Sequence, residues 1–207
     1  MNHDSPSDGT EQEWIGERVA EWLAPIGCTS RWVPEPDGPA RSMVVTLPGH
    51  GGPMVALLGH TDTVFPLGEA ARRPFRREGD RCFGPGVADM KGGVLLAVAA
   101  MERLAAAAER PFSEVRLLVC ADEETRLRAP AVCAEAAGAA AALVFECARA
   151  NGDLVSERKG AVWRTLYLHG RPAHAGADTH RGRSAVSALA REIIRIEGLT
   201  AGRPEMT

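Results

Sequence analysis

Long apolar runs are missing from this chain. Its apolar stretches are too short, or too broken by charge, to supply the roughly 20 residues that span a bilayer. An excess of positive charge is missing as well. Lys and Arg total 24 against 27 Asp and Glu, a net charge of −3, so nothing electrostatic favours nucleic acid or an anionic membrane as partner. The opening "MNHDSPSDGTEQEW" lacks the basic start and apolar middle of a signal peptide. Paired cysteines are absent too. Cys28, Cys82, Cys120, Cys133 and Cys147 lie scattered, odd in number and never as C-x-x-C. That argues against a disulfide framework or a thiolate zinc site, and for buried, reduced thiols in a cytoplasmic protein. No repeat is present. What remains is an ordinary globular composition, 45% apolar over 207 residues, enough for one good-sized core or one domain plus part of another.

Periodicity gives an alternating order of elements. Over residues 11–26, Trp14, Ile15, Val19, Trp22, Leu23 and Ile26 recur at helical spacing. "SMVVTL" (42–47) and "MVALLG" (54–59) read as two strands joined by a tight, glycine-rich connection. A long loop rich in Pro, Gly and Arg fills 66–93, and loops of that length are usually functional or disordered. The pattern then predicts a helix over 94–108, a strand over 114–121, a helix over 129–140 and a strand over 142–146. Strands alternating with helices imply an α/β fold, a largely parallel sheet covered by helices on both faces.

In such sheets ligands gather at the carboxyl ends of the strands. His60 and Asp62 follow "VALLG", Asp122, Glu123 and Glu124 follow "LLVCA", and Glu146 follows "ALVF". The long loop adds Asp89 within "GPGVADMKGG", which lacks the spacing of a phosphate-binding loop. Carboxylates gathered at one sheet edge repel one another, and one or two divalent cations relieve that repulsion. A mixed set of His, Asp and Glu suits zinc. His60 and Asp62, two residues apart on an extended chain, share a face, where an acid commonly fixes the tautomer of a ligating histidine.

Five motifs in order, "GHTDTVFP", "FRREGDRCFGPGVADMKGG", "ADEE", "VFE" and "GRPAHAGA", resemble the clan MH two-zinc exopeptidases and deacylases. That group includes aminoacylase, acetylornithine deacetylase, succinyl-diaminopimelate desuccinylase and glutamate carboxypeptidase, and residues 60–93 look most like the last. The resemblance implies a zinc exopeptidase catalytic domain over 1–158, followed by the start of an α+β lid or dimerisation domain over 159–207. It implies that His60, Asp89 and Glu146 hold one zinc, that Asp89 and Glu124 hold a second, and that Asp62 orients His60. Glu123 would be the general base of amide hydrolysis, and His174 would stabilise the oxyanion. The implied substrate is a small peptide or N-acyl amino acid, cleaved to release a C-terminal residue such as glutamate. A homodimer through the lid is implied as well.

The chain departs from the family pattern in three places. "TRLRAPA" (125–131) replaces a Gly-Ser-rich stretch and brings Arg126 and Arg128 near the acids. "ADTHRGRSAV" (177–186) lacks the usual proline and asparagine. The family's late histidine for the second zinc and its substrate-binding arginine have no counterpart, so the resemblance implies a C-terminally truncated chain. The alternative to an active hydrolase is then an inactive metal-binding remnant. Within 159–207, "GAVWRTLYLHG" (160–170) predicts a strand, and Val186, Leu189, Ile193, Ile194 and Ile196 predict an amphipathic helix over 183–197.

Overall fold

Val115, Leu117 and Val119 point to one side of a strand and Leu118 to the other, and all four are buried. The run "VRLLV", interrupted only by Arg116, encodes that two-sided burial, because a central strand is covered on both faces over most of its length. The computed structural model describes residues 2–36, 38–125, 130–160 and 164–201 and places this strand at the centre of a five-stranded sheet.

In chain order the elements are α1 (Gln12–Leu23), β1 (Thr29–Pro34), β2 (Arg41–Pro48), β3 (Met54–His60), α2 (Glu69–Arg72), β4 (Arg76–Glu78) and β5 (Arg81–Phe83). There follow α3 (Gly92–Ala105), β6 (Glu114–Cys120), α4 (Pro130–Ala134), β7 (Ala141–Val144) and α5 (Ala185–Thr200). The sheet order is β1-β2-β6-β3-β7. β3 runs parallel to both β6 and β7, while β2 is antiparallel to β6 and to β1. Four of the five strands therefore point the same way, and β2 alone is reversed. The main core joins Val19 and Leu23 of α1, and Val94, Ala97, Val98 and Met101 of α3, to Met43, Val45, Leu57 and Leu117. On the opposite face Val132 of α4 packs with Val33, Val44 and Leu118.

Several expectations are corrected. The strands of 42–47 and 54–59 are both present, as β2 and β3, but the tight connection does not make them neighbours, since β6 lies between them and pairs with each. β1 went unpredicted. Trp14 and Trp22 do not join the buried stripe of α1, which is Gln12, Gly16, Val19 and Leu23; Trp14 lies under the His3 ring instead. The expected helix over 129–140 is only the five residues of α4, since the following amides of Glu135, Ala136 and Ala137 donate three residues back and Gly138 turns left-handed. The long loop carries α2, the β4–β5 hairpin and a π-type turn, Val87–Lys91. No cysteine is fully buried, and Cys82, Cys133 and Cys147 are exposed.

The chain divides into two compact units, Met1–Leu154 and Val155–Thr207. In the second, the strand predicted for 160–170 is not found over its described residues, 164–170. A strand needs a neighbour to accept its hydrogen bonds, and the described residues of this unit offer only one bridge, between Arg171 and Arg183. The helix is present as α5, with the Ser184 hydroxyl accepting the Ser187 amide at its N-terminus and Val186, Ile193 and Ile194 exposed. Among the described residues no helix is long and apolar enough to cross a membrane.

Candidate metal centre

β3 lies between β6 and β7 with all three pointing the same way, so their carboxyl ends form one rim. Register sets the levels. His60 is opposite Cys120, and Leu58 is opposite Val144, so Glu146, two residues past Val144, is level with His60, two past Leu58. Asp89 reaches the same place from the π-type turn, where the backbone leaves helical geometry at Asp89 and Met90 and the peptide between them is cis. His60 Nε2 is 3.0 Å from Asp89 Oδ1 and 3.6 Å from Glu146 Oε1. Among the described residues this trio alone brings three ligand-type atoms within 4.8 Å of one another.

Two close approaches bring the turn and the start of α3 against the residues that follow β7. The Cys147 thiol donates to the Ala88 carbonyl at 3.2 Å. At Gly93, in the first turn of α3, a Cβ would lie 1.9 Å from the Phe145 carbonyl oxygen, so only glycine lets the helix start this close.

Asp62 organises the other side. Its buried carboxylate accepts the Ser7 hydroxyl at 2.7 Å and the amides of Glu123 and Glu124 at 3.0–3.1 Å. His60 Nδ1–H faces it at 3.2 Å, and also the Asp62 carbonyl at 3.1 Å. Burial, the largest influence, pushes the Asp62 carboxyl up. The hydrogen bonds from His60, Ser7 and the two amides outweigh it and hold the group below the usual carboxylate range. For His60 burial acts first, to lower the pKa, but Asp62, Glu146 and Glu123 reverse it and raise the value to about 9. Glu124 is raised, first by burial and then by the negative charge of Asp89. A cluster that draws protons in this way is short of positive charge.

The other expected residues fall as follows. Glu123 is exposed and Glu124 partly so, each anchored by its amide on Asp62. Asp122 is buried, bonded to the Thr125 hydroxyl, and belongs to the scaffold. His174 lies exposed in the second unit, where its Nδ1 accepts the amides of Gly176 and Ala177 at 3.1 and 3.2 Å. Arg126 and Arg128 lie outside the described residues. Residues 2–8 were missed altogether. They cross the rim as a strap, with Ser5 O accepting the Thr63 amide at 2.8 Å and His3 O accepting the buried Lys91 ammonium at 2.8 Å. No periodicity marks such a segment, and its polarity reads as a free terminus.

Residues 56–203 match the profile of peptidase family M20/M25/M40. The chain belongs to this family. The M20 family is metal-dependent, and His60, Asp89 and Glu146 are a set that could hold a metal. The chain is 32% identical over 148 residues to carboxypeptidase G2 of Pseudomonas sp. (strain RS-16), covering 70% of this chain and 36% of that one. It is 30% identical over 205 residues to the succinyl-diaminopimelate desuccinylase of Halorhodospira halophila, covering 90% of this chain and 50% of that one. The chain thus spans between about a third and a half of these curated relatives. The structure of a tripeptidase from Staphylococcus aureus shares the fold with a TM-score of 0.62 at 18% identity, over 94% of this chain and 53% of that one. The largely parallel α/β fold with helices on both faces is therefore that of M20 catalytic domains.

Proposed function

We propose that the chain is the metal-binding part of a zinc-dependent, carboxypeptidase-type amidohydrolase. Its substrate on this reading is a small peptide or N-acyl amino acid, from which it releases a C-terminal residue such as glutamate. The observation that carries the proposal is the convergence of His60, Asp89 and Glu146 at adjoining strand ends within an M20 chain. The names of relatives, a carboxypeptidase and a desuccinylase, support amide hydrolysis next to a carboxylate-bearing group.

The donor set fits the metal: one imidazole nitrogen and two carboxylate oxygens are ligands zinc accepts. His60, Asp89 and Glu146 would hold one ion, and Asp89 with Glu124 a second. Bound zinc supplies the Lewis acidity that makes a water nucleophilic near neutral pH and polarises an amide carbonyl. The chain's own residues do the rest. Asp62 keeps the imidazole proton on Nδ1, leaving Nε2 to ligate. Glu123, hung from Asp62 by its amide with its carboxylate exposed, takes a proton from the attacking water and returns it to the departing amine. His174, whose Nδ1 is occupied as an acceptor, offers Nε2–H to a developing oxyanion.

The second unit is read as the start of a lid domain, and the exposed Val186, Ile193 and Ile194 support its association with a second copy of the chain. Five unpaired thiols support a cytoplasmic setting. The test is zinc analysis of the purified chain after reconstitution, together with hydrolysis of N-acyl glutamate. Zinc retained through dialysis is the expected result, and a protein that takes up none overturns the proposal.

A further inference from the structure

The Asp62 carboxylate has four donors. Three come from residues already placed at the rim: His60 Nδ1 and the amides of Glu123 and Glu124. The fourth is the Ser7 hydroxyl, 55 positions away in the chain, at 2.7 Å from Oδ2, the shortest of the four. Both side chains are buried, Ser7 at 8% and Asp62 at 0% exposure. An ionised carboxylate only accepts, so the hydroxyl proton points to Asp62; the Thr63 carbonyl is more distant, at 3.4 Å.

We infer that Ser7 is a positioning residue of the metal centre, fixing the Asp62 carboxylate and through it the His60 ring, so that the N-terminal strap is part of the site. The inference rests on the metal-centre reading above. The terminal torsion of an aspartate is broad and weakly restrained by itself. Backbone amides hold Oδ2 from the side of residues 123–124, and Ser7 holds it from the opposite segment of chain. Removing that donor frees the carboxylate to swing. His60 Nδ1 then keeps only the Asp62 carbonyl as a fixed acceptor, and the alignment of Nε2 toward Asp89 and Glu146 loosens.

The strap's anchorage is independent of Ser7. The Asp4 carboxylate accepts the amides of Gly68 and Ala70 at 2.7 and 2.8 Å. Ser5 and His3 accept from Thr63 and Lys91, Pro6 bridges Thr63, and the His3 ring stacks on Trp14. Loss of one hydroxyl leaves those contacts in place, so Ser7→Ala separates positioning from folding.

The experiment is a zinc titration of the 207-residue chain in competition with a chromophoric chelator, beside thermal unfolding of the metal-free form. Ser7→Ala should raise the zinc dissociation constant about tenfold, the lower end of what outer partners of a ligating histidine contribute. The metal-free unfolding midpoint should fall by no more than the few degrees that one hydrogen bond contributes, and Ser7→Thr, which keeps the hydroxyl, should restore affinity. Wild-type affinity in Ser7→Ala overturns the inference alone. So does an affinity loss that comes with a larger fall in midpoint and is not rescued by threonine. A wild-type protein that binds no zinc overturns the metal-centre reading, and this inference with it.

Discussion

The two sides of the cluster are built differently. His60 and Asp62 are sealed, with 2% and 0% of their side chains exposed, whereas Asp89 and Glu146 leave 57% and 34% in solvent. On the sealed side both carboxylate oxygens of Asp62 are met by donors from a strand end, a loop or the strap. On the open side, the Asp89 and Glu146 carboxylates lie 3.0 and 3.6 Å from the same His60 nitrogen and face solvent. One side supplies rigidity and the other supplies solvent-facing carboxylate ligands. A cation can enter without disturbing the half that orients it.

That contrast can be broken experimentally. The largest effect is expected in chemistry on the open side. Glu123→Gln should slow hydrolysis of N-acyl glutamate by about 10²–10⁴-fold, the worth of a general base, with zinc content unchanged. Loss of zinc in that variant would make Glu123 a ligand instead. Next is stability. Asp62→Ala leaves two amides without an acceptor and the Ser7 hydroxyl and His60 Nδ1 with only a backbone carbonyl each, and should cost about 3 kcal/mol in denaturant unfolding of the metal-free protein. Glu146→Ala, on the open side, should cost under about 1 kcal/mol while abolishing zinc uptake. Equal costs for the two would dissolve the distinction between the sides.

Zinc at a hundredfold its dissociation constant should stabilise the wild-type chain by about 2.7 kcal/mol, reversed by a chelator and absent in Glu146→Ala. The smallest effect concerns the strap. The amides of Ala70 and Gly68 hold the Asp4 carboxyl below its usual 3.8. Its contribution is therefore complete above that value and fades as pH falls through the lower folded one. Hydrogen exchange at Gly68 and Ala70 should quicken on acidification, while the amides of β6 stay protected.

Most of the open side was legible from residue order alone. An apolar run followed at once by an acid or histidine marks a strand end, and parallel strands put their ends together, so His60, Glu146 and the acids of 122–124 announce a rim, whereas Asp89, in the long loop, takes its place there from the motif resemblance. Strand order was not legible. β6 pairs with both β2 and β3, which demands contacts between segments some 60 residues apart that no local pattern carries. β1, "TSRWVP", has mostly exposed residues and no clean alternation. The 160–170 segment shows the converse: a good strand pattern over 164–170, with no partner strand among the described residues, stays irregular. Ser7 was invisible for a similar reason, because one serine in a polar terminus has no periodic signature.

Gly93 sets the width of the open side by being small. A methyl group there must push α3 and the end of β7 apart, since the obstacle at 1.9 Å is a carbonyl oxygen rather than a pliable side chain. Asp89 and Glu146 would move outward with the two elements. Zinc–carboxylate bonds of about 2.0–2.2 Å suit a narrow bite, and calcium bonds of about 2.3–2.6 Å a wider one. Gly93→Ala thus becomes a gauge of ion choice, readable as the ratio of zinc to calcium affinity in a single folded variant.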